Sequence, residues 1–541
     1  MKKGIVHLLV LTVLISCSKS RKIQADKIVY NAVVHIMDST QKPHECIVIK
    51  DGLIQLTGSY TDAKAQYITD TLIDMQGSHI YPGWHDAHAH FWGYGISLQQ
   101  VDLSSCNTWQ EVIERCKAFY EKYKPEVLLG RGWDQNRWGN VFPDNQLLNE
   151  HFSHIPVLLK RIDGHAAVAN AYLLNLAGIN SQTKIQGGDV LLKSNRPTGV
   201  LIDNAVDLAA AKLPKYSNAT HVKALLAAQD TCFSYGITAL TDAGLPTELL
   251  LLIDSLHACG LLKLRINGMV SIDSTAVSYW LKRGVYTTDK LRIGSFKMYA
   301  DGALGSRGAC LLNKYHDANH HGMIITEANT MKGFVERIAS SSFQLNTHCI
   351  GDSANRLLLK LYSENLTKAN DRRWRIEHAQ VMNPDDYVFY KTHAIIPSVQ
   401  PTHATSDMYW AANRLGKERI VHAYAYQVLL QQNGWLPLGT DFPVEHVNPM
   451  LTYIAATQRK DAKGYPEGGF QPENKLTHWQ ALYGMTTWAA KAAFMEHNTG
   501  NLKQNYFADF VVYKKDISRL SLSQLFQLKP EATYVNGIKV Y

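Results

Sequence analysis

The stretch "IYPGWHDAHAH", residues 80–90, sets His85, Asp86, His88 and His90 directly behind an apolar run. In a strand ending near His90, successive side chains alternate faces, so His88 and His90 point the same way with their imidazoles a few ångströms apart. Two imidazoles so placed form a chelate for a divalent cation. Two hydrogen-bonded histidines at a strand end would give the same pattern, so the rest of the chain has to decide.

Further groups of the same kind end other apolar runs. Lys297 lies in "LRIGSFKMYADG", His348 in "FQLNTHCIGD", His378 in "RWRIEHAQ" and Asp441 in "LPLGTDFPV". Each alone has an ordinary structural explanation, but six such groups converging on one rim are hard to account for as packing. A lysine buried among histidines costs several kcal/mol unless something neutralises it.

The elements needed to bring them together are legible as a repeat. Strand-like runs begin at Gly236, Leu262, Leu291, Phe343, Arg373, Ala394 and Leu436, alternating with amphipathic helical stretches. With "HIYPGWHDAHAH" they make eight, which predicts an α/β fold of the (β/α)8 TIM-barrel type with its polar groups at the C-terminal strand ends. The roughly 200 residues from His90 to Lys297 exceed three units of roughly 40. An insertion after strand 1, at about 97–225, is therefore expected. Short strand-like runs at both ends of the chain, with "KDG" as a hairpin signal, predict a composite β-sandwich domain from 25–79 and 496–541 around a barrel of 80–495.

Composition sets the outer bounds. The 541 residues are 46% hydrophobic and 19% charged, which describes a globular chain able to bury a large core. Lys2 and Lys3, an apolar stretch from Ile5 to Ile15, and "LISC" ending at Cys17 read as a lipoprotein signal peptide over 1–16, with Cys17 as the lipidation site. The stretch is too short to span a bilayer of about 30 Å as a helix. Its removal lowers the formal charge from +8 to about +6 with no basic cluster behind it, which argues against nucleic acid. Cys46, Cys106, Cys116, Cys232, Cys259, Cys310 and Cys349 show no C-x-x-C spacing and read as mostly buried thiols.

"PGWHDAHAH", "RGWDQNRW", "RIDGHAAVAN", "FKMYADGALGSR", "NTHCIGDSA", "RIEHAQ", "PSVQPTHATSD" and "GTDFPV" together resemble the motifs of the amidohydrolase superfamily, in the family 3 branch that includes N-substituted formamide deformylases. The resemblance runs from about Asp26 to Tyr541. It implies one or two divalent metal ions, zinc by preference, with iron or manganese also compatible. His88, His90 and Asp441 would hold the deeper ion and His348 and His378 the outer one. Lys297 would bridge both as an N-carboxylated lysine. Asp441 would also shuttle the proton, making it and Lys297 the catalytic pair. Trp133, Asp134, Asp163, His165 and Asn170 resemble positions that roof the pocket, and His403 and Asp407 would orient substrate. Asp301, Gly302 and Arg307 look like loop residues of the family without an assigned role, and His320 and His321 read as surface. A heterocycle deaminase of the same superfamily would carry a Glu three residues after the strand-5 histidine, where Gly351 stands here, followed by Asp352. An esterase of that superfamily and a catalytically silent surface binding protein are rival readings of the same motifs. The expected partners are a small-molecule amide-type substrate and, through the lipid anchor, a membrane of the bacterial cell envelope on its periplasmic or extracellular face. A homodimer is left open.

Overall fold

The structure is a computed structural model, and it describes residues 22–541. Cys17 and the expected leader segment, residues 1–16, lie outside the described residues. No helix among the described residues is long and apolar enough to cross a membrane.

Seven parallel strands form the barrel wall: β1 (Trp84–Ala89), β2 (Ile237–Leu245), β3 (Arg265–Ser271), β4 (Leu291–Tyr299), β5 (Gln344–Cys349), β6 (Arg375–His378) and β7 (Ile396–Ser398). They are paired in that order, and nearly every residue in them is buried, as expected for strands covered on both faces. The predicted eighth strand is present as an extended segment over 436–441 and not as a regular strand. It closes the barrel through a parallel bridge between Val399 and Leu438 and through Asp441 N donating to His88 O at 2.8 Å. Pro437 has no N–H to donate, and the N–H of Leu438 goes to Gly484 O, so a full ladder cannot form there.

The opening apolar run divides between two sheets. His79–Pro82 pairs with Phe510–Tyr513 and with Val33–Val34, and only from Trp84 onward does the chain enter the barrel. Gly83 is the junction, where a Cβ would lie 2.1 Å from the Thr238 hydroxyl. His79–Pro82 thus belongs to a five-stranded sheet drawn from both ends of the chain. A four-stranded sheet from residues 27–74 packs against it, and Val29, Ile47, Ile49, Ile80, Leu502, Phe510 and Tyr534 share the core between them. The "KDG" hairpin turns at Asp51 and Gly52, with φ of 52° and 75°, the left-handed pair that a two-residue hairpin requires.

Between β1 and β2 a separate six-stranded sheet runs from Val101–Asp102 to Arg196–Asp203 around its own apolar core. The insertion ends earlier than 225. Helix Asn218–Ser234, capped by Ser217, buries Leu225, Ala228, Cys232 and Phe233 in the barrel core.

Candidate metal centre and active-site cavity

A cavity of about 1030 Å³ opens between the C-terminal ends of the barrel strands and the inserted sheet. Its size suits a small-molecule substrate. His90, Lys297, His348, His378 and Asp441 line it, with His88 fully buried beneath them. One donor atom each from His88, His378 and Asp441 lies within 4.8 Å of the other two. Asp441 is the hub. Its Oδ1 stands 3.6 Å from His88 Nε2 and 3.2 Å from His90 Nε2, and its Oδ2 is 3.4 Å from His403 Nε2. His348 extends the group outward, its ring centroid 4.6 Å from that of His378. The donors thus make one continuous group, with His378 nearer the deep set than a strict division into two sites predicts.

The backbone is strained where it delivers two of them. His378 has φ 73° and Asp441 φ 64°, left-handed values that non-glycine residues seldom adopt and that concentrate at functional sites. At His378 the reversal lets two consecutive residues both reach the interior. Glu377 turns to the His88 ring, its Oε2 2.5 Å from His88 Nδ1, while His378 Nδ1 meets Gln400 Oε1 at 2.7 Å. Arg375 donates to Glu377 Oε2 at 3.0 Å. Both rings are thereby held through Nδ1, and at His88 this leaves Nε2 facing Asp441 Oδ1 for a ligand.

Electrostatics match this arrangement. Burial, aided by Lys297, lowers His88 to about 4, and burial holds His348 and His378 well below the usual imidazole range, so all three are neutral and ligand-competent. Burial works to raise the Asp441 carboxyl, but His403, His88 and His90 outweigh it and keep the group ionised. Burial also lowers Lys297 to about 8 against the pull of Glu377 and Asp441. At His403 burial is overcome by Asp441, Glu445 and Asp407, which raise it to about 9. His88 Nε2, Lys297 Nζ and Asp441 Oδ1 are buried without a hydrogen-bond partner among the described residues. Native proteins seldom leave buried polar atoms so, and nitrogen and oxygen donors without a thiolate fit a divalent cation such as zinc.

The remaining candidates separate. Asp134 and Asp163 line the cavity and clamp Arg161, Asp134 at 2.5 Å, and His165 lines it with Nδ1 2.6 Å from Asp203 Oδ1 and its ring 5.0 Å from that of His348. His403 and Asp407 line it as well, and Asp407 accepts from Tyr424 Oη at 2.8 Å. Trp133 does not reach the cavity: it is fully buried in the core of the inserted sheet, its indole N–H donating to Leu159 O at 2.7 Å. Asn170 also lies away from it, capping helix Ala171–Ala177. Asp301 is a fastener, accepting from the N–H groups of Cys310, Ile350 and Gly351 and so tying the loops after β4 and β5. Arg307 pairs with Asp317, and His320 and His321 are exposed.

Glu377, Gln400, Asp203 and Arg161 were not singled out by sequence. Only Glu377 carried a signal, in "RIEH", and strand alternation would aim it away from His378.

The amidohydrolase family matches over residues 71–541. The chain belongs to this family of hydrolases. It is 31% identical to Protein LONG AFTER FAR-RED 3 of Arabidopsis thaliana, over 96% of this chain and 92% of that protein. It is 23% identical to the N-substituted formamide deformylase of Arthrobacter pascens, over 95% and 98%. In fold it is similar to an uncharacterised metal-dependent hydrolase from Pyrococcus horikoshii, with TM-score 0.75, 24% identity, and 92% of this chain and 99% of that one covered. A Cβ on Gly351 would stand 2.0 Å from Cys310 O, so no glutamate fits there, and Asp352 is turned away to accept from Leu312 N at 2.8 Å.

Proposed function

We propose that this chain is a metal-dependent hydrolase of small molecules that cleaves a carbon–nitrogen bond of the amide or formamide type. The observation that carries the reading is the ionised Asp441, set against four neutral or cationic imidazoles at the floor of a cavity, with buried donor atoms on both sides lacking partners. His88, His90, His348, His378, Asp441 and Lys297 would hold one or two divalent cations, zinc by preference, with iron or manganese also compatible. Such a cation supplies the Lewis acidity that makes hydroxide available near neutral pH and polarises a carbonyl.

The protein's own groups do the rest. Asp441 takes the proton of the attacking water on a carboxylate oxygen and returns it to the departing nitrogen. His403, cationic and 3.4 Å from Asp441 Oδ2, keeps that carboxylate ionised and presents an N–H donor to the cavity. His165, braced by Asp203, faces it from the inserted sheet. Lys297 enters as a carbamate: its amine, lowered to about 8 by burial, adds carbon dioxide in the neutral form and gives up one N–H proton to solvent, and the anion that results removes a cation from beside the donors. We further propose that Cys17 is lipidated and holds the enzyme to the cell envelope.

The test is to strip the protein with a chelator, reload it with zinc, iron or manganese, and assay N-substituted formamides, amides, lactams and esters. One to two metal ions per chain with metal-dependent hydrolysis of C–N substrates is the expected result. A metal-free protein with full activity would end the reading, and turnover confined to esters would replace the bond class.

A further inference from the structure

We propose that His35, His79 and Asp516 form a second divalent-cation site, of the zinc class and structural in role, in the terminal β domain outside the cavity. The inference is independent of the catalytic reading. The three residues come from distant parts of the chain. His35 follows strand Val33–Val34, His79 opens strand His79–Pro82, and Asp516 precedes the single turn Ile517–Arg519.

The donor atoms are spaced within reach of one cation. One atom from each residue lies within 4.8 Å of the other two, and His35 Nε2 is 3.1 Å from His79 Nδ1. Two nitrogens on one tetrahedral zinc, each about 2.0–2.1 Å from the metal, stand roughly 3.3 Å apart. The nitrogen separation is close to that value; the rings, with centroids 5.4 Å apart, now point their nitrogens at each other and must tilt to aim both lone pairs at one cation. As it stands, one ring N–H donates to the lone pair of the other ring, and a cation would use a lone pair on each.

The groups are also held in place. The His35 ring stacks on Tyr81 with centroids 4.3 Å apart and planes within 7°. Asp516 Oδ1 is fixed by three donors: Tyr81 Oη at 3.2 Å, Ser518 N at 2.9 Å and Ser518 Oγ at 2.7 Å. Its Oδ2 lies 3.5 Å from Arg519 Nε, on a side chain that is 86% exposed. A carboxylate held in place by such hydrogen bonds brings an anionic oxygen to within 4.8 Å of both imidazole donors. Water would complete the coordination at these half-buried positions.

A cation here would tie the first strands of the chain to its last. Binding only to the folded form, it would raise stability by mass action. The experiment uses the whole protein, saturated with zinc and then dialysed, as wild type, His79→Ala and Asp516→Asn. Asp516→Asn keeps an acceptor for Tyr81 and Ser518, which guards against misfolding as the cause of any loss. Both variants should carry one zinc equivalent fewer than wild type by elemental analysis, with turnover unchanged, and should lose part of the zinc-dependent rise in Tm. Equal zinc content in wild type and Asp516→Asn would overturn the proposal. So would loss of zinc accompanied by loss of turnover, which would mean that no separate site exists.

Discussion

His88 and Glu377 are joined at the floor of the barrel, Nδ1 to Oε2 at 2.5 Å with both side chains fully buried. Arg375 and His88 overcome the burial that would raise Glu377 and hold it well below the usual carboxylate range. The ionised carboxylate fixes the His88 proton on Nδ1 and leaves Nε2 for Asp441 and a cation. Glu377→Gln retains an acceptor but removes the charge. It should weaken metal affinity roughly 10–100-fold, the usual cost of losing such a partner. Chelator competition reads this directly, and an unchanged affinity would remove Glu377 from the site.

Lys297 is 1% exposed, with Nζ 4.6 Å from the Tyr299 ring centroid and no hydrogen-bond partner among the described residues. If it bridges as a carbamate, Lys297→Ala should lose one metal equivalent and reduce kcat by roughly two orders of magnitude or more. A short-chain carboxylate should restore part of the loss. Normal turnover in Lys297→Ala would favour a one-metal enzyme without the bridge.

Trp133 and His165 make a contrasting pair on the inserted sheet. Trp133→Ala empties core volume and should cost about 3–5 kcal/mol of stability while leaving KM alone at temperatures where the protein stays folded. His165→Gln, which keeps a donor for the buried Asp203 carboxylate, should lower kcat/KM about tenfold or more with little change in Tm. Denaturant titration and steady-state kinetics on both variants decide it; the reverse pattern would put Trp133 back at the substrate.

The acid limb of stability should carry a histidine signature. His257, 7% exposed, is lowered to about 4 by burial, with its Nε2 2.9 Å from Leu264 O. Its folded value lies below the ordinary 6.5, so between pH 6.5 and 4 the unfolded chain binds a proton that the folded one does not. Its contribution is complete above about 6.5 and is lost as pH falls toward 4, on the order of 2–3 kcal/mol. His257→Gln should flatten the fall of the urea midpoint over that window. Parallel curves for the two proteins would assign the slope to other groups.

Cys17→Ser should release the protein from the membrane fraction or leave its leader uncleaved. Equal incorporation of a fatty-acid analogue into both forms would end the anchoring proposal.

Much of the site was legible in the amino-acid order because one-dimensional signals encode it. Period-2 alternation places His88 beside His90, and apolar runs ending in a polar group mark barrel strands and their functional ends. Those signals state which face a side chain takes, not what covers that face. Trp133 shares its motif with cavity-lining Asp134, yet only packing within the inserted sheet consigns it to a core. The run from His79 to Ala89 is continuous in hydropathy, and its division at Gly83 follows from two different sheets claiming its halves. Glu377 escaped because alternation aims it away from His378. The left-handed φ of 73° at His378 undoes that rule. The meeting of His35, His79 and Asp516 depends on two strand pairings, Val33–Val34 with His79–Pro82 and that strand with Phe510–Tyr513 at the far end of the chain. Local order determined the donors; long-range closure alone decided their partners, because those contacts exist only once the two ends of the chain have been brought together.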